Sequence, residues 1–256
     1  MLKIALVQSP LFWHDAEKNR QYFSSCFNAK EKAQLWVLPE MFTTGFTQES
    51  ALVAETMEGE TVTWLKNEAQ KHQTAICGSV VISENGKFYN RLLLAQKNGS
   101  IAHYDKRHLF TMANEHLNFS SGAKNLVVDI EGVRVAFQVC YDLRFPVFTR
   151  NSRENTYDLL IYVANWPEVR ITAWDKLLCA RAIENQCFVA GVNRVGTDNN
   201  GIQYNGHSTL IDPLGTYLIP PFETEHLVFK TIDLGELNAF RQRFPVLNDA
   251  DSFTLL

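Results

Sequence analysis

Short, almost wholly apolar segments alternate along this chain with segments of helical periodicity, and this alternation restricts the fold more than any other feature. Met1–Gln8 and Leu159–Ala164 have the near-continuous apolar character of strands that are buried on both faces. Trp174–Asn185 has the spacing of a helix. Because doubly buried strands need helices to cover their sheet, the pattern predicts an α/β fold with a mixed sheet, or two sheets, and helices outside.

Further segments fit the same plan, and the turns between them are specific. Asn85-Gly86 and Glu131-Gly132 predict tight hairpins, since Asn and Gly tolerate positive φ. The remaining predicted strands are Leu35–Leu38, Ala75–Ser83, Lys87–Gln96, Ile101–Tyr104, Leu126–Ile130, Val133–Val139, Phe188–Val192, Thr209–Asp212, Tyr217–Ile219 and His226–Ile232; helical spacing also runs from near Asp15 to Ala33 and over Val62–Lys71. Without repeats or linker-like stretches, residues 1–256 are predicted to form one domain.

Composition excludes several classes of protein. Of the 256 residues, 46% are hydrophobic, which is enough to bury a core and argues against disorder. The formal charge of −4 argues against a nucleic-acid partner, because such proteins usually carry a strong basic excess. The apolar runs are too short for a membrane span or a signal peptide. Five cysteines without CxxC spacing suggest neither a disulfide framework nor a metal site, so a cytoplasmic location is expected.

Three reactive side chains follow predicted strands directly or after one intervening residue: Glu40, Lys106 and Cys140. Strand ends in α/β folds are where ligand sites gather, because the sheet aims the following loops into one crevice. A base activates a thiol as a nucleophile, and a cation stabilises both the thiolate and the oxyanion formed at an attacked carbonyl. Taken singly, none of the three supports an active site: Cys140 is better explained as a core cysteine and Glu40 as a solvated carboxylate, and Lys106 fits a basic surface patch.

The sequence around these residues resembles the nitrilase, or carbon–nitrogen hydrolase, superfamily. The three signature blocks are LPEMFTTGF, HYDKRHLF and CYDLRFPVF, and further matches occur at Asn165-Trp166-Pro167, at residues 180–194 and at HSTLIDPLG. The resemblance implies a four-layer α-β-β-α sandwich. It also implies a general base at Glu40, an oxyanion-stabilising lysine at Lys106 and a nucleophile at Cys140. Glu115 then matches the second glutamate of the family, and the backbone N–H of Tyr141 the other oxyanion donor, with no metal or organic cofactor.

Within the family, the chain looks most like the ω-amidase branch. True nitrilases carry Trp-Glu after the cysteine, whereas Tyr141-Asp142 stands here. The implied reaction is hydrolysis of the terminal carboxamide of 2-oxoglutaramate or 2-oxosuccinamate to ammonia and the 2-oxo dicarboxylic acid. An amidase for another small amide or carbamoyl compound remains an alternative, as does a catalytically idle scaffold. Candidate substrate-binding residues are Phe42, Arg144, Asn165, Trp166 and Arg170.

Three structural expectations accompany this assignment. Asp142 and Arg144 are expected to form an ion pair that shapes the turn after the nucleophile, and His207 to be a structural histidine. The resemblance further implies at least a homodimer. Apolar residues of the C-terminal tail, namely Phe253, Leu255 and Leu256, are candidates to cross that interface.

Overall fold

The fold was analysed in a computed structural model of the chain, which describes residues 1–152 and 156–255. Its strands are β1 Leu2–Gln8, β2 Leu35–Val37, β3 Ala75–Glu84, β4 Lys87–Ala95, β5 Ile101–Asp105, β6 Val127–Ile130, β7 Val133–Val139, β8 Leu159–Ala164, β9 Phe188–Asn193, β10 Val195–Thr197, β11 Gln203–Asn205, β12 Ser208–Ile211, β13 Tyr217–Phe222 and β14 His226–Ile232. Its α-helices are α1 Ala16–Phe27, α2 Ser50–Val53, α3 Glu60–His72, α4 Glu115–Asn118, α5 Ile171–Asn185 and α6 Leu234–Arg243.

Two six-stranded sheets form the centre of the molecule. Their strand orders are β14-β1-β2-β3-β4-β5 and β13-β12-β9-β8-β7-β6. In each sheet three neighbouring strands are parallel, β1-β2-β3 and β7-β8-β9, and the outer strands pair antiparallel. Each sheet is therefore mixed, and α-helices lie in the crossovers from β1 to β2, from β2 to β3 and from β8 to β9.

The main hydrophobic core lies between the two sheets, because one buried cluster draws side chains from both, including Leu35 and Cys77 from one and Phe137 and Ile161 from the other. A second cluster joins the outer face of the first sheet to α1 and α3, and a third joins the outer face of the second sheet to α5. All six residues of β8 are buried, as expected of a strand covered on both faces. The predicted α-β-β-α sandwich is thus confirmed.

Some elements differ from those that the sequence pattern predicts. The first helix ends at Phe27 instead of reaching Ala33, because the N–H of Asn28 turns back to the carbonyls of Ser25 and Cys26. Helix α6 was not predicted, since Leu237 is its one fully buried residue and no apolar stripe marks it. The hairpin β10-β11 was missed because each strand has three residues. No helix among the described residues has the length and apolarity needed to cross a membrane.

The strand directions bring the candidate residues to one region. β5 runs in the same direction as β2, because both β3-β4 and β4-β5 are antiparallel. Glu40 and Lys106 therefore follow strand ends on the same edge of one sheet. Cys140 and Asn165 follow the ends of the parallel strands β7 and β8 in the other sheet. The face-to-face packing of the sheets then places these four positions together.

Candidate active site

A buried cluster of one ammonium and two carboxylates lies between the sheets. Nζ of Lys106 donates to Oε1 of Glu40 at 2.9 Å and to both carboxylate oxygens of Glu115 at 3.0 Å. The side chains of Lys106, Glu40 and Glu115 are fully buried. Oε2 of Glu115 also accepts from the backbone N–H of Phe110 at 2.6 Å. Lys106 therefore contacts both carboxylates that the sequence assigned to its site.

Burial and charge act against each other at these groups. Burial alone would lower the pKa of the Lys106 ammonium, but the carboxylates of Glu115 and Glu40 reverse this effect and raise that pKa above its ordinary value. Burial raises the pKa of the Glu115 carboxyl, while Lys106 opposes the rise and Glu40 adds to it. Lys106 therefore keeps its charge in a dry site, where its interaction with a developing oxyanion is strong.

Cys140 begins the 3₁₀ turn Cys140–Arg144 directly after β7, with a left-handed φ of 47°. Such a conformation costs a non-glycine residue about 1–3 kcal/mol and is typical of functional sites. Burial raises the pKa of the Cys140 thiol well above its usual range, the Glu40 carboxylate raises it further, and Lys106 opposes them. The thiol is therefore protonated at neutral pH, and it needs a base to become a nucleophile.

Asn165 holds Glu40 from the opposite sheet. Its backbone N–H donates to Oε2 of Glu40 at 2.7 Å, and its side-chain Nδ2 donates to the Glu40 carbonyl at 2.6 Å. The carbonyl of Asn165 lies 4.0 Å from Sγ of Cys140. The base is therefore fixed at both its backbone and its carboxylate, next to the thiol that it would deprotonate.

Lys106, Cys140 and Asn165 line a small cavity of about 60 Å³. Its lining comprises Lys106, Cys140, Tyr141 and Asn165 with a wall of aromatic and cationic side chains, namely Phe46, Phe110, Arg144, Trp166, Arg170 and Tyr204, together with Ala113, Pro167 and Ile202. A much larger surface groove, about 1080 Å³ beside α1 and α3, contains none of the three reactive residues. We therefore assign the active site to the small cavity, whose volume limits the substrate to a small molecule.

Two guanidinium groups in the cavity wall lie over aromatic rings. Cζ of Arg144 is 4.9 Å from the ring centroid of Trp166, and Cζ of Arg170 is 5.2 Å from that of Phe110. Within residues 1–152 and 156–255, no carboxylate forms a salt bridge with either arginine. Both cations are thus available to an anionic group of a ligand.

Phe42 does not line the cavity as predicted. It is buried in the core beside Phe23 and Trp64, with ring centroids 5.5 and 5.9 Å away. The reason is Gly78, where an added Cβ would lie only 2.8 Å from Cδ1 of Phe42. The missing side chain of this glycine makes room for the ring against β3, and Phe46 lines the cavity instead.

The predicted ion pair between Asp142 and Arg144 does not form. Asp142 is fully buried and faces the lysine loop, where its Oδ1 accepts from the backbone N–H of His108 at 2.9 Å and contacts Nδ1 of the same residue at 2.7 Å. Its Oδ2 accepts from the hydroxyl of Tyr104 at 2.8 Å and from the N–H of Val139 at 3.0 Å. Asp142 therefore ties the nucleophile turn to the loop that carries Lys106. His207, expected to be structural, contacts Asp175 at 3.0 Å.

Asn90 is a site residue that the sequence analysis missed. Its side-chain Nδ2 donates to Oε1 of Glu40 at 2.8 Å and to Oε1 of Glu115 at 3.3 Å. The available signal was a short polar residue in a predicted strand that ends in the apolar run Leu92–Ala95, and this does not show which group the residue contacts.

We expect the Asp142→Asn variant to lower the free energy of unfolding by about 2 kcal/mol, because a charged acceptor with several buried donors is lost. In this variant an NH₂ group replaces one carboxylate oxygen, and it meets an N–H or O–H donor that the oxygen had accepted from. Urea unfolding measures the change. The matched control is Asp129→Asn, at an exposed turn where Asp129 accepts from the N–H of Gly132. Equal stability of the two variants would contradict the role assigned to Asp142.

This chain is similar to known proteins over its whole length. A relative from Yersinia enterocolitica, named omega-amidase YafV, is 45% identical over 257 residues, covering 100% of this chain and 99% of the relative. A 2-oxoglutaramate amidase of Bacillus subtilis is 38% identical and covers 85% of each chain. The crystal structure of a CN-hydrolase superfamily protein from Xanthomonas campestris, with an arsenic adduct in its active site, superposes with a TM-score of 0.97 at 46% identity, covering 100% of this chain and 99% of that one.

The family model described as carbon-nitrogen hydrolase matches residues 3–242 of the chain. This range contains both sheets and every residue of the buried cluster, from Glu40 to Asn165. The protein therefore belongs to the carbon–nitrogen hydrolase family.

Proposed function

We propose that this chain is a cysteine-dependent amidase that hydrolyses the terminal carboxamide of a small 2-oxo acid amide, with 2-oxoglutaramate as the main substrate and 2-oxosuccinamate as a second. The observation that carries the proposal is one small cavity lined by the Cys140 thiol and the Lys106 ammonium together with two guanidinium groups free of carboxylate partners in the described chain. The names of the relatives from Yersinia enterocolitica and Bacillus subtilis agree with it.

In the acylation half-reaction, Glu40 takes the proton of the Cys140 thiol and the sulfur attacks the amide carbon. The carbonyl electron pair moves to oxygen, where the Lys106 ammonium and the backbone N–H of Tyr141 stabilise the negative charge. Glu40 then gives its proton to the amide nitrogen. The C–N bond breaks, ammonia leaves, and a thioester remains on Cys140.

In the deacylation half-reaction, Glu40 takes a proton from water while the water oxygen attacks the thioester carbon. The same two donors, Lys106 and the Tyr141 N–H, stabilise the second oxyanion. The C–S bond breaks and the sulfur recovers its proton from Glu40. Glu115 accepts two hydrogen bonds from Lys106 throughout, and so it holds the ammonium in place.

The charges around the cavity favour a substrate with a carboxylate at its far end. Arg144 and Arg170 supply positive charge, and the aromatic rings beneath them hold the guanidinium planes. Glutamine carries an ammonium group beside its carboxylate, and both guanidiniums repel that group. The 2-oxo acid amide has the same length without this charge, so the cavity discriminates against the amino acid.

The assay that tests the proposal is ammonia release from 2-oxoglutaramate, 2-oxosuccinamate, glutamine, a carbamoyl-β-amino acid and an aliphatic nitrile. We expect turnover of the two 2-oxo acid amides, and none by the Cys140→Ala variant with its fold intact by circular dichroism. Activity confined to the carbamoyl compound would keep the mechanism and replace the substrate. Turnover that survives the Cys140→Ala change would overturn the mechanism itself.

The variants Arg144→Met and Arg170→Met should each raise KM for 2-oxoglutaramate about tenfold or more and change kcat less. The reason is that a charge-assisted hydrogen bond to the substrate carboxylate is lost. Hydrolysis of butyramide, which has no carboxylate, should not change. Arg243→Met in α6 makes the same change of charge outside the cavity and is the control. If neither variant raises KM above that control, the carboxylate binds elsewhere.

We also propose that the chain works in the cytoplasm as a homo-oligomer, a dimer or larger. A catalytic thiol requires reducing conditions, and Cys77 and Cys187 are buried and unpaired. Phe244, Phe253 and Leu255 leave about half of their surface exposed, as apolar residues of an interface do in a free subunit. Leu256 lies outside the described residues.

Sedimentation velocity is expected to give a species of at least twice the mass of one chain. Truncation after Asp249 should shift this species toward the monomer, since it removes Phe253 and Leu255. A single monomeric species at all concentrations would contradict the assembly.

A further inference from the structure

We propose that Asn90 is a positioning residue that sets the protonation of the two catalytic carboxylates. This inference rests on the proposed function of the site and deepens it. Asn90 lies in β4, which runs antiparallel to its neighbours β3 and β5, so its position near the start of β4 is level with the ends of those strands. Asn90 is fully buried, and it lies outside the sequence motifs that surround Glu40, Lys106 and Cys140.

Asn90 contacts three members of the catalytic cluster at once. Its Nδ2 donates to Oε1 of Glu40 at 2.8 Å and to Oε1 of Glu115 at 3.3 Å. Its backbone carbonyl accepts from the N–H of Lys106 at 3.0 Å. One residue thus fixes the base, the second carboxylate and the backbone of the oxyanion lysine.

The orientation of the Asn90 amide has a cost. Carboxylate oxygens on two sides demand donors, so Nδ2 faces the cluster, and within the described residues Oδ1 has no hydrogen-bond partner. A buried acceptor without a hydrogen-bond partner lowers the stability of a protein. The fold therefore tolerates an unfavourable oxygen in order to present two N–H donors to Glu40 and Glu115.

Donors of this kind act on protonation, because a hydrogen bond to a carboxylate favours its ionised form. Lys106 acts in the same direction on the Glu115 carboxyl, and the Glu40 carboxylate opposes ionisation of Glu115. The Cys140 thiol and the Tyr204 hydroxyl also lie within electrostatic range of Glu40. Changing Asn90 alters none of these other groups, so its effect appears as a change in the proton affinity of the two carboxylates.

Without the Asn90 amide donors the ionised carboxylates lose stabilisation, so protonation of the base begins at higher pH. In the Asn90→Ala variant, the acid limb of the pH profile of kcat/KM for 2-oxoglutaramate should move up by about one pH unit. In Asn90→Asp a third carboxyl group shares the same ammonium, so the limb should move at least as far.

The matched control is Asn185→Ala. Asn185 is also fully buried, but its side chain donates to the carbonyl of Arg181 and accepts from the N–H of Asn151, and it hydrogen-bonds to no carboxylate of residues 1–152 and 156–255. This variant should lower the melting temperature without moving the acid limb. If Asn90→Ala fails to fold, the isosteric Asn90→Asp carries the test.

A second readout separates this proposal from the proposed substrate. The rate at which iodoacetamide alkylates Cys140, followed by peptide mass spectrometry against pH, reports deprotonation of the thiol by Glu40 without any amide substrate. A shifted alkylation profile in the Asn90 variants supports the role of Asn90 even where 2-oxoglutaramate is not turned over. Profiles that coincide with wild type in both readouts would overturn it.

Discussion

The active site depends on one ammonium buried between two carboxylates. Moving any of these charges out of water costs several kcal/mol, and only close mutual hydrogen bonds recover that cost. Lys106 makes such bonds to both Glu40 and Glu115. In the proposed mechanism, negative charge moves from Glu40 to the sulfur of Cys140 and on to a substrate oxygen, where the Lys106 ammonium stabilises it.

The sandwich architecture makes this cluster possible. Glu40, Lys106 and Asn90 come from one sheet, whereas Cys140 and Asn165 come from the other. Each sheet supplies groups that the other fixes: Asn165 binds Glu40 across the interface, and Asp142 binds the loop after Lys106. The strained φ of Cys140 persists because the buried bonds of Asp142 hold the turn on both sides.

Much of the fold and the centre of the site could be predicted from the sequence. Glu40, Lys106 and Cys140 stand in specific motifs at strand ends, and apolar strands covered on both faces require the layered fold. The surrounding contacts could not be predicted, because they join residues far apart in the chain. Asn90 meets Glu40 only through the pairing of β4, and Phe42 packs in the core against Gly78 of β3. Asp142 is near Arg144 in sequence, yet the 3₁₀ turn directs it to His108 instead.

The central claim is that the substrate becomes covalently attached to Cys140. Rapid acid quenching during turnover of 2-oxoglutaramate, followed by intact-protein and peptide mass spectrometry, tests it directly. The account predicts an adduct with the mass of the substrate less ammonia, confined to the peptide that contains Cys140. An adduct on another cysteine, or turnover with no adduct at any quench time down to the first turnover, would contradict it.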